Sequence, residues 1–192
     1  MQVINVPHPT LRHHSKPLRR VDKKLKMMVA EMFELMYEHR GIGLAANQVD
    51  LPFQMFVIDP TGEKGSDQAR VLINPVVQSP KGNSEADEGC LSIPGVYGKV
   101  VRPAEVHVIA YDLSGNQMDE VVDGTLARVI QHEYDHLHGV IFPDRMTEAA
   151  LRSIEGELDA FEIEFEAMLK QDDGLRAENV KKRLCELEAE YC

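Results

Sequence analysis

The run Gln131-His132-Glu133-Tyr134-Asp135-His136 sets two imidazoles four residues apart with a carboxylate directly after the first. On a helix those imidazoles lie one turn apart on one face, a pattern that holds a divalent cation beside its own general base. The helix is supported by phase. Leu126, Val129, Ile130, Leu137 and Val140 recur at threes and fours between Gly124 and Gly139, so the spacing predicts a helix from about Thr125 to Val140. The plain alternative is a surface helix that carries these residues by chance.

A catalytic site of this kind needs a third protein ligand and one open position. The long metalloprotease form would place a histidine at position 142, but Phe142 stands there and cannot bind metal. A second common form uses a glutamate about a helix further on, and Glu155 or Glu157 lies at that distance in an acid-rich stretch. The remaining candidate is Cys90, in Glu88-Gly89-Cys90-Leu91-Ser92.

Composition bounds what surrounds these groups. A chain of 192 residues with 43% apolar content supports one ordinary domain and a real core. The start, Met1-Gln2-Val3-Ile4-Asn5-Val6-Pro7, has no charged-then-apolar secretory pattern. A reducing cytoplasm is therefore expected, and three cysteines, two of them Cys185 and Cys192, make no disulfide framework. A net charge of −11 argues against a general nucleic-acid binder.

The positioning elements read as α+β: antiparallel β-sheets around the central metal-binding helix, a long N-terminal helix, and a C-terminal helix with a helical extension. Val21 to Arg40 reads as the first helix, capped by Asp22, with Leu25, Met28, Val29, Met32, Phe33, Leu35 and Met36 as its apolar stripe. Strands are expected over 54–58, 70–73, 76–78, 100–102, 105–111 and 117–122, and residues 61–67 form a polar loop. His8, His13 and His14 read as surface residues. One helix is expected from Glu148 to Lys170, with a narrow seam through Leu151, Ile154, Leu158, Phe161, Phe165 and Met168, and another from Ala177 to Tyr191. Residues 1–170 are read as the catalytic domain and 171–192 as the extension, so a chain ending at Lys170 is expected to stay folded and active.

Taken together, Gly41-Ile42-Gly43-Leu44-Ala45-Ala46-Asn47-Gln48, Glu88-Gly89-Cys90-Leu91-Ser92 and Gln131-His132-Glu133-Tyr134-Asp135-His136 resemble the three signature motifs of the peptide deformylase family, in that family's order and at about its spacing. The opening Val6-Pro7-His8-Pro9 through Leu11-Arg12 is similar too, so no cleaved presequence is expected. The resemblance implies removal of the formyl group from the N-terminal formyl-methionine of new polypeptides. It implies Cys90, His132 and His136 as ligands of a metal, natively Fe(II), with Zn(II), Ni(II) or Co(II) able to substitute. Metal-bound water or hydroxide then attacks, with Glu133 as general acid and base. Gln48 and the Leu91 N–H become oxyanion donors, and Ile42, Gly43, Gly89, Arg128 and Val129 substrate-binding residues.

Two features depart from the family. Arg128 stands where an apolar residue often lines the pocket for the methionine side chain; its methylene stem is expected to line that pocket while its head reaches water. From Thr147 onward, six Lys and Arg face thirteen Asp and Glu. The ribosome therefore stands as a doubtful partner here, since docking through a basic tail fits this region poorly, with Lys181-Lys182-Arg183 left as a small candidate patch. The partner implied is the formyl-Met end of a nascent chain, with no membrane and no sequence-specific nucleic acid, for a monomer or weak homodimer. Two rival classes stand beside this reading: a metalloprotease with Glu155 or Glu157 as third ligand, and a non-catalytic metal or partner-binding module. Both leave Cys90 and Gln48 unexplained.

Overall fold

The computed structural model describes residues 1–192. Helix α1 spans Lys23–Glu38 and starts where the Asp22 carboxylate accepts a hydrogen bond from Leu25 N at 2.8 Å. Strands β1 (Gly43–Ala45), β2 (Met55–Ile58), β3 (Arg70–Lys81), β6 (Glu105–Tyr111) and β7 (Gln117–Asp123) form one antiparallel sheet in the order β1-β2-β3-β6-β7. β4 (Ser84–Cys90) and β5 (Ile93–Arg102) pair as a separate two-stranded ribbon. Helix α2, Gly124–Leu137, buries Ala127, Val129, Ile130 and Leu137 with Phe56, Ile58, Val106 and Val108 of the large sheet. α1 lays Leu25, Val29, Met32 and Met36 in a second cluster with Leu44, Met55 and Val57. α2 ends at Gly139, whose φ of +71° is left-handed and whose position leaves no room for a Cβ against the Arg12 carbonyl. The architecture is the expected α+β, and no helix is long and apolar enough to cross a membrane.

Several elements differ from the sequence reading, each for a physical reason. β4 has no apolar alternation, because one of its faces is solvent and the other turns Glu88 and Cys90 inward. The two strands expected at 70–73 and 76–78 are one, β3, with a register shift at Asn74 and Pro75. There the Asn74 side chain bonds both Leu18 N and Leu18 O at 2.8 Å. The helix expected over 148–170 is broken into α3 (Glu148–Arg152) and α4 (Glu155–Leu169). Ser153 Oγ bonds back to Ala150 O at 2.6 Å, and Ile154 turns inward to join Ile4, Val6, Ile93 and Val100. His8 is buried, not on the surface, and its Nδ1 caps the turn Pro9–Arg12.

The extension is docked. In α5 (Ala177–Tyr191), Val180, Leu184 and Tyr191 are buried; Tyr191 packs its ring 5.1 Å from that of Phe53, and its carbonyl accepts from Arg19 N at 2.9 Å. Losing one buried aromatic costs about 3–5 kcal/mol. A chain ending at Lys170 is therefore expected to unfold at a midpoint lower by more than ~10 °C, or to be insoluble. An unchanged midpoint would show that α5 merely lies on the surface.

Candidate metal and catalytic centre

The centre forms where the end of β4 meets the inner face of α2. The spacing of four puts His132 and His136 on one side of α2, with ring centroids 5.0 Å apart. A register shift after Gly89 turns Cys90 toward them. Cys90 Sγ lies 3.2 Å from His136 Nε2, and the nearest ligand atoms of Cys90, His132 and His136 all fall within 4.8 Å of one another. Glu155 and Glu157 stand on exposed positions of α4 and are not part of this group.

Glu88, two residues before Cys90 on β4, is buried and faces α2. Its Oε2 lies 3.0 Å from His132 Nδ1, while Arg102 donates to it at 2.6 and 2.9 Å. Burial opposes the Glu88 charge, but the hydrogen bonds from His132 and Arg102 overcome it and hold the carboxyl down at about 2. Burial likewise works against a charged His132, yet its hydrogen bonds to Cys90 and Glu88 push it up to about 10. A cation held at His132 would displace that proton. His136, fully buried, is lowered by burial and by the neighbouring His132. Its carbonyl accepts from the Asn47 amide, which ties α2 to the turn Ala46–Val49.

Glu133 is buried, and burial raises its carboxyl to about 7. Its Oε2 has no hydrogen-bond partner within the protein, and neither has His136 Nδ1. Gln48 is anchored by Ala45 N donating to its Oε1 at 2.8 Å, which aims Nε2 at Cys90 Sγ (3.3 Å) and Ser92 Oγ (3.2 Å). A groove of about 880 Å³ runs over these groups, lined by Ile42, Gly43, Gly89, Leu91, Arg128 and Val129 among others. The residues singled out in the sequence thus converge, with His136 behind the groove wall. One detail is corrected: the Arg128 head is largely turned back from water onto Glu88, Val100 O and Ser84 O. Sequence reasoning passed over Glu88, Ser92 and Arg102 as working residues. None of the three carried a sequence signal, because β4, which holds Glu88, has no apolar alternation.

Gly43 has a second reason to lack a side chain. A methyl group there would overlap Glu133 Oε1 and stand 2.9 Å from its carboxyl carbon. Gly43→Ala is expected to keep its metal and lose on the order of 10² in turnover by displacing that carboxylate. Turnover of the fully metal-loaded variant measures this, and a wild-type value would show that Glu133 has room to move.

Two imidazoles and a thiol suit a divalent transition metal, and the residues present fit one. A carboxylate outside the ligand group, with one oxygen unsatisfied, serves hydrolysis better than metal storage. The fold and site together define a metal-dependent hydrolase.

Comparison narrows the class. Residues 1–152 match the polypeptide deformylase family model. The chain is 50% identical over 193 residues to a peptide deformylase of Rhodopirellula baltica, covering 100% of this chain and 95% of that one. It is 41% identical to the chloroplastic/mitochondrial peptide deformylase 1B of Arabidopsis thaliana, over 95% of this chain and 67% of the relative. A crystal structure of a point mutant of the Arabidopsis thaliana peptide deformylase 1B superposes with a TM-score of 0.85 at 43% identity, covering 88% of this chain and 92% of that one. A Plasmodium falciparum peptide deformylase gives 0.84 at 35% identity, covering 86% and 98%. The chain belongs to the peptide deformylase family, and its class of reaction is metal-dependent deformylation.

Proposed function

We infer that this chain hydrolyses the N-terminal formyl-methionine of nascent polypeptides to formate and a free amine, with Glu133 as proton carrier. The observation that carries this is the unpartnered, buried Glu133 Oε2 beside three converging donors. Cys90, His132 and His136 would hold the cation, and Glu88 fixes the ring of His132. When bound, a divalent cation supplies Lewis acidity, lowering the pKa of water toward neutrality and polarising a carbonyl. Glu133 accepts the proton of the attacking water and returns one to the departing nitrogen as the C–N bond breaks. Gln48 Nε2 and the Leu91 N–H donate to the formyl oxygen as negative charge builds on it. A neutral amide does so without repelling the cation.

The substrate backbone lies extended between the start of the outer strand β1, at Gly43 and the preceding Ile42, and the end of β4 at Gly89. Val129 and the stem of Arg128 face its first side chain. The family resemblance implies Fe(II) as the native ion, with Zn(II), Ni(II) or Co(II) as substitutes, and two imidazoles with one thiolate can hold any of them. The catalytic groups all lie within residues 1–170, the catalytic part, with 171–192 as a docked extension; the acidic C-terminal region makes ribosome docking through a basic tail a poor fit. The setting is cytoplasmic, as a monomer or weak homodimer. The test is formate release from a formyl-Met peptide beside cleavage of an internal peptide bond. Formate alone supports this reading, and internal cleavage favours the protease.

A further inference from the structure

The ligand group is split between two elements that the chain does not join locally: Cys90 comes from the β4–β5 ribbon, His132 and His136 from α2. Something other than the metal must hold ribbon and helix at the right separation. Arg102 does part of this, joining Glu88 of β4 to Asp135 of α2 at 2.7 Å, beyond His132 in the chain. The matching contact before His132 is made by Arg128. Its Nη1 donates to Glu88 Oε1 at 2.6 Å and to Val100 O at 3.1 Å; its Nη2 donates to Ser84 O at 2.6 Å, with Ser84 Oγ at 3.4 Å. One guanidinium thus touches both strands of the ribbon and the carboxylate that orients His132. Its side chain is 15% exposed and that of Glu88 only 4%, so water competes little for the charge-assisted bond to Glu88, while the bonds to Ser84 lie at the exposed edge of the ribbon.

We propose that Arg128 is a positioning residue for the metal, clamping the ribbon that carries Cys90 to the helix that carries both histidines. The inference rests on Cys90, His132 and His136 being the ligands. The planar fork matters. A lysine at 128 keeps a point charge for Glu88 but cannot span Ser84 O and Val100 O together, and a leucine keeps neither. Glu88 would still accept from Arg102, so His132 keeps its orienter while the ribbon loses its second attachment.

The experiment loads wild-type protein, Arg128→Lys and Arg128→Leu with Ni(II) and follows loss of the Ni(II)–thiolate absorption after adding excess EDTA. Outer contacts of this kind change metal affinity by about 10–100-fold. Arg128→Leu is expected to release Ni(II) on the order of tenfold faster than wild type, with Arg128→Lys between them. Val180→Ala, a core change in α5 away from the centre, lowers the unfolding midpoint and is expected to release Ni(II) at the wild-type rate. If both Arg128 variants release at the wild-type rate, the clamp is absent; should Arg128→Leu not fold, a wild-type rate in Arg128→Lys decides the same way. If Val180→Ala at equal midpoint loss releases as fast as Arg128→Leu, the effect is global and the proposal fails. Wild-type protein that takes up no Ni(II) would overturn the ligand assignment and this inference with it. Formate release tests the reaction separately.

Discussion

Glu133→Ala is expected to retain its metal and lose about 10²-fold or more in turnover, because general acid–base catalysis contributes roughly 10²–10⁴. Retention follows from geometry, since the converging donors are Cys90, His132 and His136 and do not include Glu133. Loss follows because Glu133 is the buried carboxylate there with an unsatisfied oxygen. Glu133→Gln separates charge from shape and carries a second signature. A carboxyl raised to about 7 in the folded protein, above its ordinary value, binds a proton more readily folded than unfolded. In metal-free wild-type protein Glu133 therefore contributes stability at low pH that is lost as pH rises from about 4.5 to about 7. Glu133→Gln lacks that loss, so its metal-free midpoint should exceed the wild-type one at pH 8 by more than at pH 4. Metal content, turnover and the two midpoints decide it. If Glu133→Ala came out metal-free, ligand and base would have been confused.

Cys90→Ser should remove most of the metal and with it the activity, because a hydroxyl is a far poorer ligand than a thiolate. The neighbouring contacts sharpen this. Gln48 Nε2, Ser92 N and His136 Nε2 all approach Cys90 Sγ within 3.2–3.4 Å, a setting built around a large polarisable atom. Glu155→Ala and Glu157→Ala, on the exposed face of α4, should change neither metal nor turnover. Metal analysis of the three variants compares the two-histidine, one-cysteine set with the protease set directly. Full metal content in Cys90→Ser would end the former.

The helix carrying His132 and His136 was legible because its apolar phase and its ligand spacing share one period, and α1 because Asp22 caps a clean stripe. The third ligand was not legible from residues alone. Cys90, Glu155 and Glu157 remained open until the three motifs were read as one family pattern, since sequence spacing does not say which strand faces which helix. β4 escaped because Ser84 to Cys90 is polar; its inward face buries an ion-pair network rather than hydrocarbon, which hydropathy cannot signal. The same network hid Arg128, whose long side chain is compatible with solvent in sequence but in the fold meets Glu88, Val100 O and Ser84 O. The break at Ser153 and Ile154, and the docking of Tyr191 on Phe53, depend on contacts between residues far apart in the chain.

The central claim is hydrolysis of a formyl group at a cation held by Cys90, His132 and His136. Its most direct test is formate release from a formyl-Met peptide by metal-free protein titrated with Fe(II) under anaerobic conditions. Activity rising from the baseline and levelling at one equivalent, with no cleavage of the internal peptide bond, is the predicted result. Formate release that is independent of added metal, or internal cleavage without formate, would contradict it.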